Sequence, residues 1–143
     1  MKLYYLGNYL HRLGIPLLPK IFNIFIRIIH NSAVFSETSI GTNTIFAYGG
    51  IGVVIHKRYV IGKNCVIGSN VTIGGKSKSV NVPVIGDHCF IATGAKILGE
   101  ITIGDNCVIG ANCVVVKNIS DNSLVAGIPG KIIKSNIEPK DYY

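Results

Sequence analysis

The sequence predicts an all-β solenoid, a parallel β-helix of hexapeptide repeats with a short N-terminal helical segment. Three observations predict it. From Ile61 to Ile119 the chain repeats every six residues: IGKNCV, IGSNVT, IGGKSK, SVNVPV, IGDHCF, IATGAK, ILGEIT, IGDNCV, IGANCV, VVKNIS. Ile or Val opens every hexad except the one at Ser79, and a small or apolar residue fills the fifth place. Gly at the second place and Asn at the fourth supply residues that tolerate the turns such a short period demands. With 17 Gly and no Trp in 143 residues, the composition suits one turn-rich domain rather than a helical bundle. The period belongs to neither a helix nor an ordinary strand, so each hexad reads as a strand and a turn. The stack of coils is then the unit that buries a core.

Taken in order, residues 1–30 form the helical segment. Leu3, Leu6, Leu10 and Leu13 recur at helical spacing, and Gly14 and Pro16 stop that helix. A second helix is expected over residues 17–29, with Pro19 in its first turn and Asn23 and Arg27 as a polar stripe on an apolar surface. The segment is too short and interrupted to span a bilayer. Two roles are open to it: a cover for the end of the solenoid or a subunit contact, and a peripheral contact with anionic lipid.

The β-helix domain covers residues 31–134, and residues 135–143 read as a loose tail. Two stretches break the hexad rule: FAYGGIGVV, around Tyr48–Gly52, and GGKSKSVNVP, whose loop spans Lys76–Pro83. In a solenoid, residues that leave the coil gather on the binding face, so chemistry is expected at these two loops.

The four cysteines carry no metal or disulfide signal. Cys65, Cys89, Cys107 and Cys113 all occupy the fifth place of a hexad, where a small buried residue belongs, and no CxxC spacing occurs. Reduced thiols and the lack of a convincing secretory signal point to the cytoplasm, with the inner face of the membrane as a peripheral site. The net charge is +7, and Lys2, Arg12, Lys20 and Arg27 all precede the first acid, Glu37. A basic surface implies an anionic partner. No nucleic-acid motif or aromatic-interleaved basic patch is present, which leaves a phosphorylated cofactor or lipid.

The stretches GVVIHKRYVIGKNCVIGSNVTIGG and VIGDHCFIATGAKILGEITIGDNCVIGANCVVVKNI, with the tail AGIPGKII (Ala126–Ile133), resemble the hexapeptide-repeat acyltransferases. Within them they are similar to the serine acetyltransferase branch, over roughly residues 30–134. The resemblance implies a left-handed coil, against the usual right-handed crossover. It also implies acetyl transfer from acetyl-CoA to a hydroxyl or amino group, in a homotrimer with each active site between two subunits, and no metal.

That reaction needs a base for the attacking group and donors for the oxyanion. In the serine branch the base lies in a DHxTG-like stretch, with a second His in an RHP segment. Here Tyr48 or Gly49 stands at the first place and Val82 near the second. Of the four histidines, His11 and His30 lie before the repeat. His88 takes a turn position that five other hexads give to Asn. His56 follows the first irregular loop, beside Lys57 and Arg58, and leads the candidates for the base. Tyr48 is a hydrogen-bond donor to substrate, and Asp87 and Glu100 are candidate orienters. For acetyl-CoA the resemblance carries over to Gly74 and Gly75, to Ala92 and Thr93, and to Gly110 and Ala111, with Lys117 and Lys131 for the phosphates.

The serine-type repeat without the serine-type histidines, and a short basic segment instead of a large helical domain, favour a sugar hydroxyl of a surface polysaccharide as the acceptor. The alternatives are a serine O-acetyltransferase-like enzyme of cysteine biosynthesis and a catalytically silent trimeric binding protein.

Overall fold

A computed structural model gives the protein's structure over residues 1–75 and 81–142. Its body is a three-sided parallel β-solenoid. The first sheet stacks Ala33–Val34, Val54–Ile55, Thr72–Gly74, Lys96–Leu98 and Val114–Val115. The second stacks Ser39–Ile40, Val60–Ile61, Val84–Ile85 and Thr102–Ile103. The third stacks Ile45–Phe46, Val66–Ile67, Phe90–Ile91, Val108–Ile109 and Ser123–Ala126, closed by Lys131–Ser135 running antiparallel.

The hexad opener is the inward residue of each strand. Ile55, Ile61, Ile67, Ile73, Ile85, Ile91, Ile97, Ile103 and Ile109 are all at most 2% exposed and form columns along the axis. Each buried side chain of this kind contributes about 2 kcal/mol of transfer free energy. Between these columns the fifth-place residues fill the corners. All four thiols are buried and free, as small core residues.

Corners follow the sheets: a first corner between sheets one and two, a second between two and three, a third between three and one. At the second corner Asn43, Asn64, His88, Asn106 and Asn122 all take φ between 54° and 58°. Their side chains form a ladder, with Asn43 to Asn64 at 3.2 Å and Asn106 to Asn122 at 3.1 Å. Beside it, each aspartate accepts a backbone N–H from the coil before: Lys63 to Asp87 (2.9 Å), Asp87 to Asp105 (2.7 Å) and Asp105 to Asp121 (2.9 Å). Gly62 is required here because a Cβ would lie 2.4 Å from the Gly86 carbonyl oxygen of the next coil.

Strand register locates the two departures from the period. Val54 lies over Thr72, and Lys96 over Val114, at the regular coil spacing. Ala33 over Val54 spans three residues more, taken up by the turn Ala47–Gly50 at the third corner. Thr72 over Lys96 spans six more, all falling between Gly75 and Val84 at the first corner. Residues 76–80 of that expected loop, including Ser79, lie outside the described residues.

Helices α1 (Lys2–Arg12) and α2 (Leu18–His30) lie over the first coil. Tyr4 and Ile26 enter the core. The coil's open edge is answered by side chains: Tyr4 donates to the Thr38 carbonyl (2.6 Å), Tyr5 to that of Thr44, and Asn8 to that of Ser36 (2.7 Å). From α2, Asn23 accepts both the N–H and the Oγ–H of Ser36, each at 2.8 Å. The end-cover role read from the sequence is therefore met with hydrogen bonds as well as apolar contact.

Candidate functional site

A cavity of about 530 Å³ opens between α2 and the first two coils. Its walls include Asn23, Arg27 and Lys20 from α2, Phe35 and Glu37 from the first coil, and His56 and Lys57 from the second. The His56 ring lies 6.0 Å from that of Phe35 and 5.9 Å from that of Tyr59, tilted to both. These rings set its orientation, while the approach of the Arg58 N–H to Nδ1, at 3.5 Å, is long. Glu37 accepts from Asn23 Nδ2 at 3.2 Å. The cavity thus offers one imidazole, one carboxylate and three cations around an apolar floor.

His56 lies on the first corner. Gly74 and Gly75 lie on the same corner one coil further, and Lys117 beyond them. The link is direct, because the phenol oxygen of Tyr59 accepts the Gly75 N–H. Tyr48, Ala92, Thr93, Gly110 and Ala111 stand on the third corner, across the first sheet. Ala92 donates to the Ile109 carbonyl, and Asn112, next to Ala111, to that of Thr93, so these turns stack coil on coil. Lys131 pairs with Ala126 at the edge of the third sheet, near this same stack. One chain therefore brings His56, Gly74, Gly75 and Lys117 together, and separately groups Tyr48 with the small-residue turns.

Tyr48 has φ 52° and is 76% exposed. A bulky residue in the left-handed region costs on the order of 1 kcal/mol, and such strain gathers at functional positions. Behind it lies His30, whose Nδ1 is 3.5 Å from where a Cβ on Gly49 would sit. His30 thus adjoins the irregular turn, a neighbourhood that its position ahead of the repeat did not reveal. His88 stands on the second corner, in the asparagine ladder, with Asn64 3.5 Å from its Nε2. Asp87 on that corner accepts the Lys63 N–H and pairs with Lys63 Nζ at 3.7 Å. Glu100 accepts from Asn81 at 3.1 Å. His11 is an exposed residue of α1.

Three residues of the cavity drew no site role from the sequence, Asn23, Arg27 and Glu37. The available signal was Asn23 itself, a short polar side chain on the core-facing side of an apolar helix. Among the described residues no group of three His, Cys, Asp or Glu could hold a metal ion.

Two family models match the chain. "Bacterial transferase hexapeptide (six repeats)" covers residues 83–117, and "Hexapeptide repeat of succinyl-transferase" covers residues 59–76. A serine acetyltransferase of Staphylococcus xylosus is 47% identical over 94 residues, which is 64% of this chain and 44% of that protein. Among solved structures, Brucella abortus serine acetyltransferase in complex with coenzyme A matches with a TM-score of 0.86 at 29% identity, over 94% of this chain and 54% of that one. Neisseria gonorrhoeae serine acetyltransferase in complex with serine matches with a TM-score of 0.84 at 27% identity, over 92% and 54%. The chain spans about half the length of these relatives.

These findings correct one expectation. A sugar hydroxyl of a surface polysaccharide is the acceptor expected from loops that lack the serine-type histidines and from the short basic N-terminal segment. Sequence relatives and structural neighbours alike are serine acetyltransferases, and they point to the alternative acceptor. Loop residues diverge faster than the coils that carry them, so their loss was weak ground for a change of acceptor.

Proposed function

We propose that this chain, a hexapeptide-repeat acyltransferase of the serine acetyltransferase-like branch, transfers acetyl from acetyl-CoA to the hydroxyl of serine. The observation that carries this reading is the cavity that gathers His56, Glu37 and Arg27 beside the corner of Gly74 and Gly75. Free serine is a zwitterion. Its ammonium finds a partner in Glu37, and its carboxylate in the planar fork of Arg27. A sugar hydroxyl would need neither charge.

In the reaction the His56 imidazole takes the hydroxyl proton as the serine oxygen attacks the thioester carbonyl. The tetrahedral intermediate collapses with cleavage of the C–S bond. The imidazolium then returns its proton to the departing thiolate, giving O-acetylserine and CoA. Gly74 and Gly75 leave the pantetheine arm free to lie close to the backbone. Lys117, further along the same corner, meets phosphate as a point charge.

The small-residue turns at Ala92–Thr93 and Gly110–Ala111, with Tyr48 and Lys131, enter through a homotrimer. A neighbouring protomer set against the first corner with its third corner supplies the other wall of the acetyl-CoA groove. Support for this lies in the division of the candidates between two corners of one chain.

The test is acetyl-CoA consumption followed by thiol release, with L-serine, D-serine, threonine and a panel of hexoses as acceptors. L-serine-dependent release with O-acetylserine as product is expected. Release with sugars alone, or none with any acceptor, overturns the reading. Light scattering in the same buffer should give a trimeric mass, and a monomer would remove the shared groove.

A further inference from the structure

The faces of α1 and α2 that point away from the solenoid are apolar and exposed, with no partner among the described residues. Leu17 is 66% exposed and Leu13 58%, with Ile21 and Phe25 completing the surface, while Ile24 and Ile28 at its edge also line the cavity. The same helices bury Tyr4 and Ile26 on their other side. Lys2, Arg12 and, at the edge of the cavity, Lys20 are exposed around this surface, and no acid occurs before Glu37, which Asn23 holds on the solenoid side.

We propose that this end of the molecule docks on the surface of an anionic lipid bilayer. Three features argue for a membrane surface as the occupant. The apolar side chains form a surface on short helices, and no helix among the described residues is long and apolar enough to cross a membrane. Such helices lie in the interface, with their apolar face at the acyl boundary. The cations bordering that face meet acidic headgroups, which attract basic segments close to the bilayer. A second copy of the chain answers the apolar area but not the charge. In an isologous contact each subunit presents the same patch, so Lys2, Arg12 and Lys20 would confront their own kind with no carboxylate between them.

Docking through Leu13, Leu17, Ile21 and Phe25, none of which lines the cavity, leaves the first corner, with His56 and Gly75, along the side of the solenoid. The proposal stands on the helices alone and holds whatever the acceptor is.

Flotation of the intact protein with vesicles tests it. Two compositions are needed, phosphatidylcholine alone and phosphatidylcholine with one-third phosphatidylglycerol. Binding to the anionic vesicles at least tenfold tighter than to the neutral ones is expected, weakening as salt rises above about 0.15 M. The double variant I21D/F25D, whose residues do not line the cavity, should lose vesicle binding while keeping its melting temperature and its turnover in solution. K2E/R12E should lose the preference for phosphatidylglycerol. Equal binding to both vesicles, or binding to neither, overturns the proposal. A particle mass by light scattering that falls in I21D/F25D, with no vesicle binding in the parent, assigns the face to a second copy instead.

Discussion

The phenol oxygen of Tyr59, a buried residue of the second coil, accepts the backbone N–H of Gly75 at the first corner of the next coil. One side chain thus joins the ring that flanks His56 to the backbone of the proposed acetyl-CoA strand. Tyr59→Phe keeps the ring and removes the acceptor. The loss should cost about 1 kcal/mol of stability, the usual net value of one hydrogen bond. KM for acetyl-CoA should rise several-fold while kcat changes little, because Gly75 loses its restraint and His56 keeps its neighbour. Urea denaturation and steady-state kinetics measure the two effects. An unchanged KM would separate Tyr59 from the cofactor path.

His56→Ala removes the proposed base. General-base catalysis contributes roughly 10²- to 10⁴-fold, so kcat should fall within that range while acetyl-CoA binding, read by calorimetry, stays near the parent value. The informative companion is His30→Ala. His30 sits behind Gly49 at the third corner, beside Tyr48. If turnover survives in His56→Ala and collapses in His30→Ala, the proton is taken at the third corner, and the cavity under α2 has another role.

The glycines separate backbone need from ligand access. A Cβ on Gly62 would stand 2.4 Å from the Gly86 carbonyl oxygen, and backbone in a stacked coil has little room to give. Gly62→Ala should therefore destabilise by about 3 kcal/mol, the upper part of the usual overpacking range. Among the described residues, a Cβ at Gly74 would meet the Leu98 Cδ2 alone, at 3.3 Å, the end of a flexible side chain. Gly74→Ala should move stability by less than about 0.5 kcal/mol yet raise KM for acetyl-CoA. Melting curves of both variants, with kinetics on the second, decide it. Equal losses of stability would mean that the first corner is as tightly stacked as the second.

The columns of this fold were legible because they depend on local chemistry. Ile61, Ile67 and Ile73 open their hexads and all point inward, and Cys65, Cys89 and Cys107 fill the places a small residue must take. His88 was readable as a turn residue because its neighbours in the ladder are Asn64 and Asn106. The cavity was not legible, because it exists only where α2 meets the first two coils. Asn23 reaches Ser36, and Phe35 reaches His56, through packing that no hexad records. Nor does a period distinguish which corner a residue occupies once extra residues enter, and this is why Tyr48 and His56, close in sequence, face apart.

Tyr4 ties α1 to the first coil and gives the docking of the helices a pH signature. Its phenol donates to the Thr38 carbonyl at 2.6 Å, and burial pushes its pKa well above the usual phenol value. A raised pKa in the folded state means that the native protein holds this proton more tightly than the unfolded chain does. The stability tied to it is complete below about pH 10, where the unfolded tyrosine titrates, and is lost as pH rises from there toward the folded value. The urea midpoint should thus be flat through neutrality and fall above about pH 10. Tyr4→Phe should lower the unfolding free energy by about 1 kcal/mol at neutral pH, for the lost hydrogen bond to the Thr38 carbonyl, which keeps only Asn8 at 3.3 Å, and should make the alkaline fall shallower. A remaining slope belongs to Tyr5, which burial shifts the same way. An alkaline fall as steep in Tyr4→Phe as in the parent would detach it from this tyrosine and from the helix it anchors.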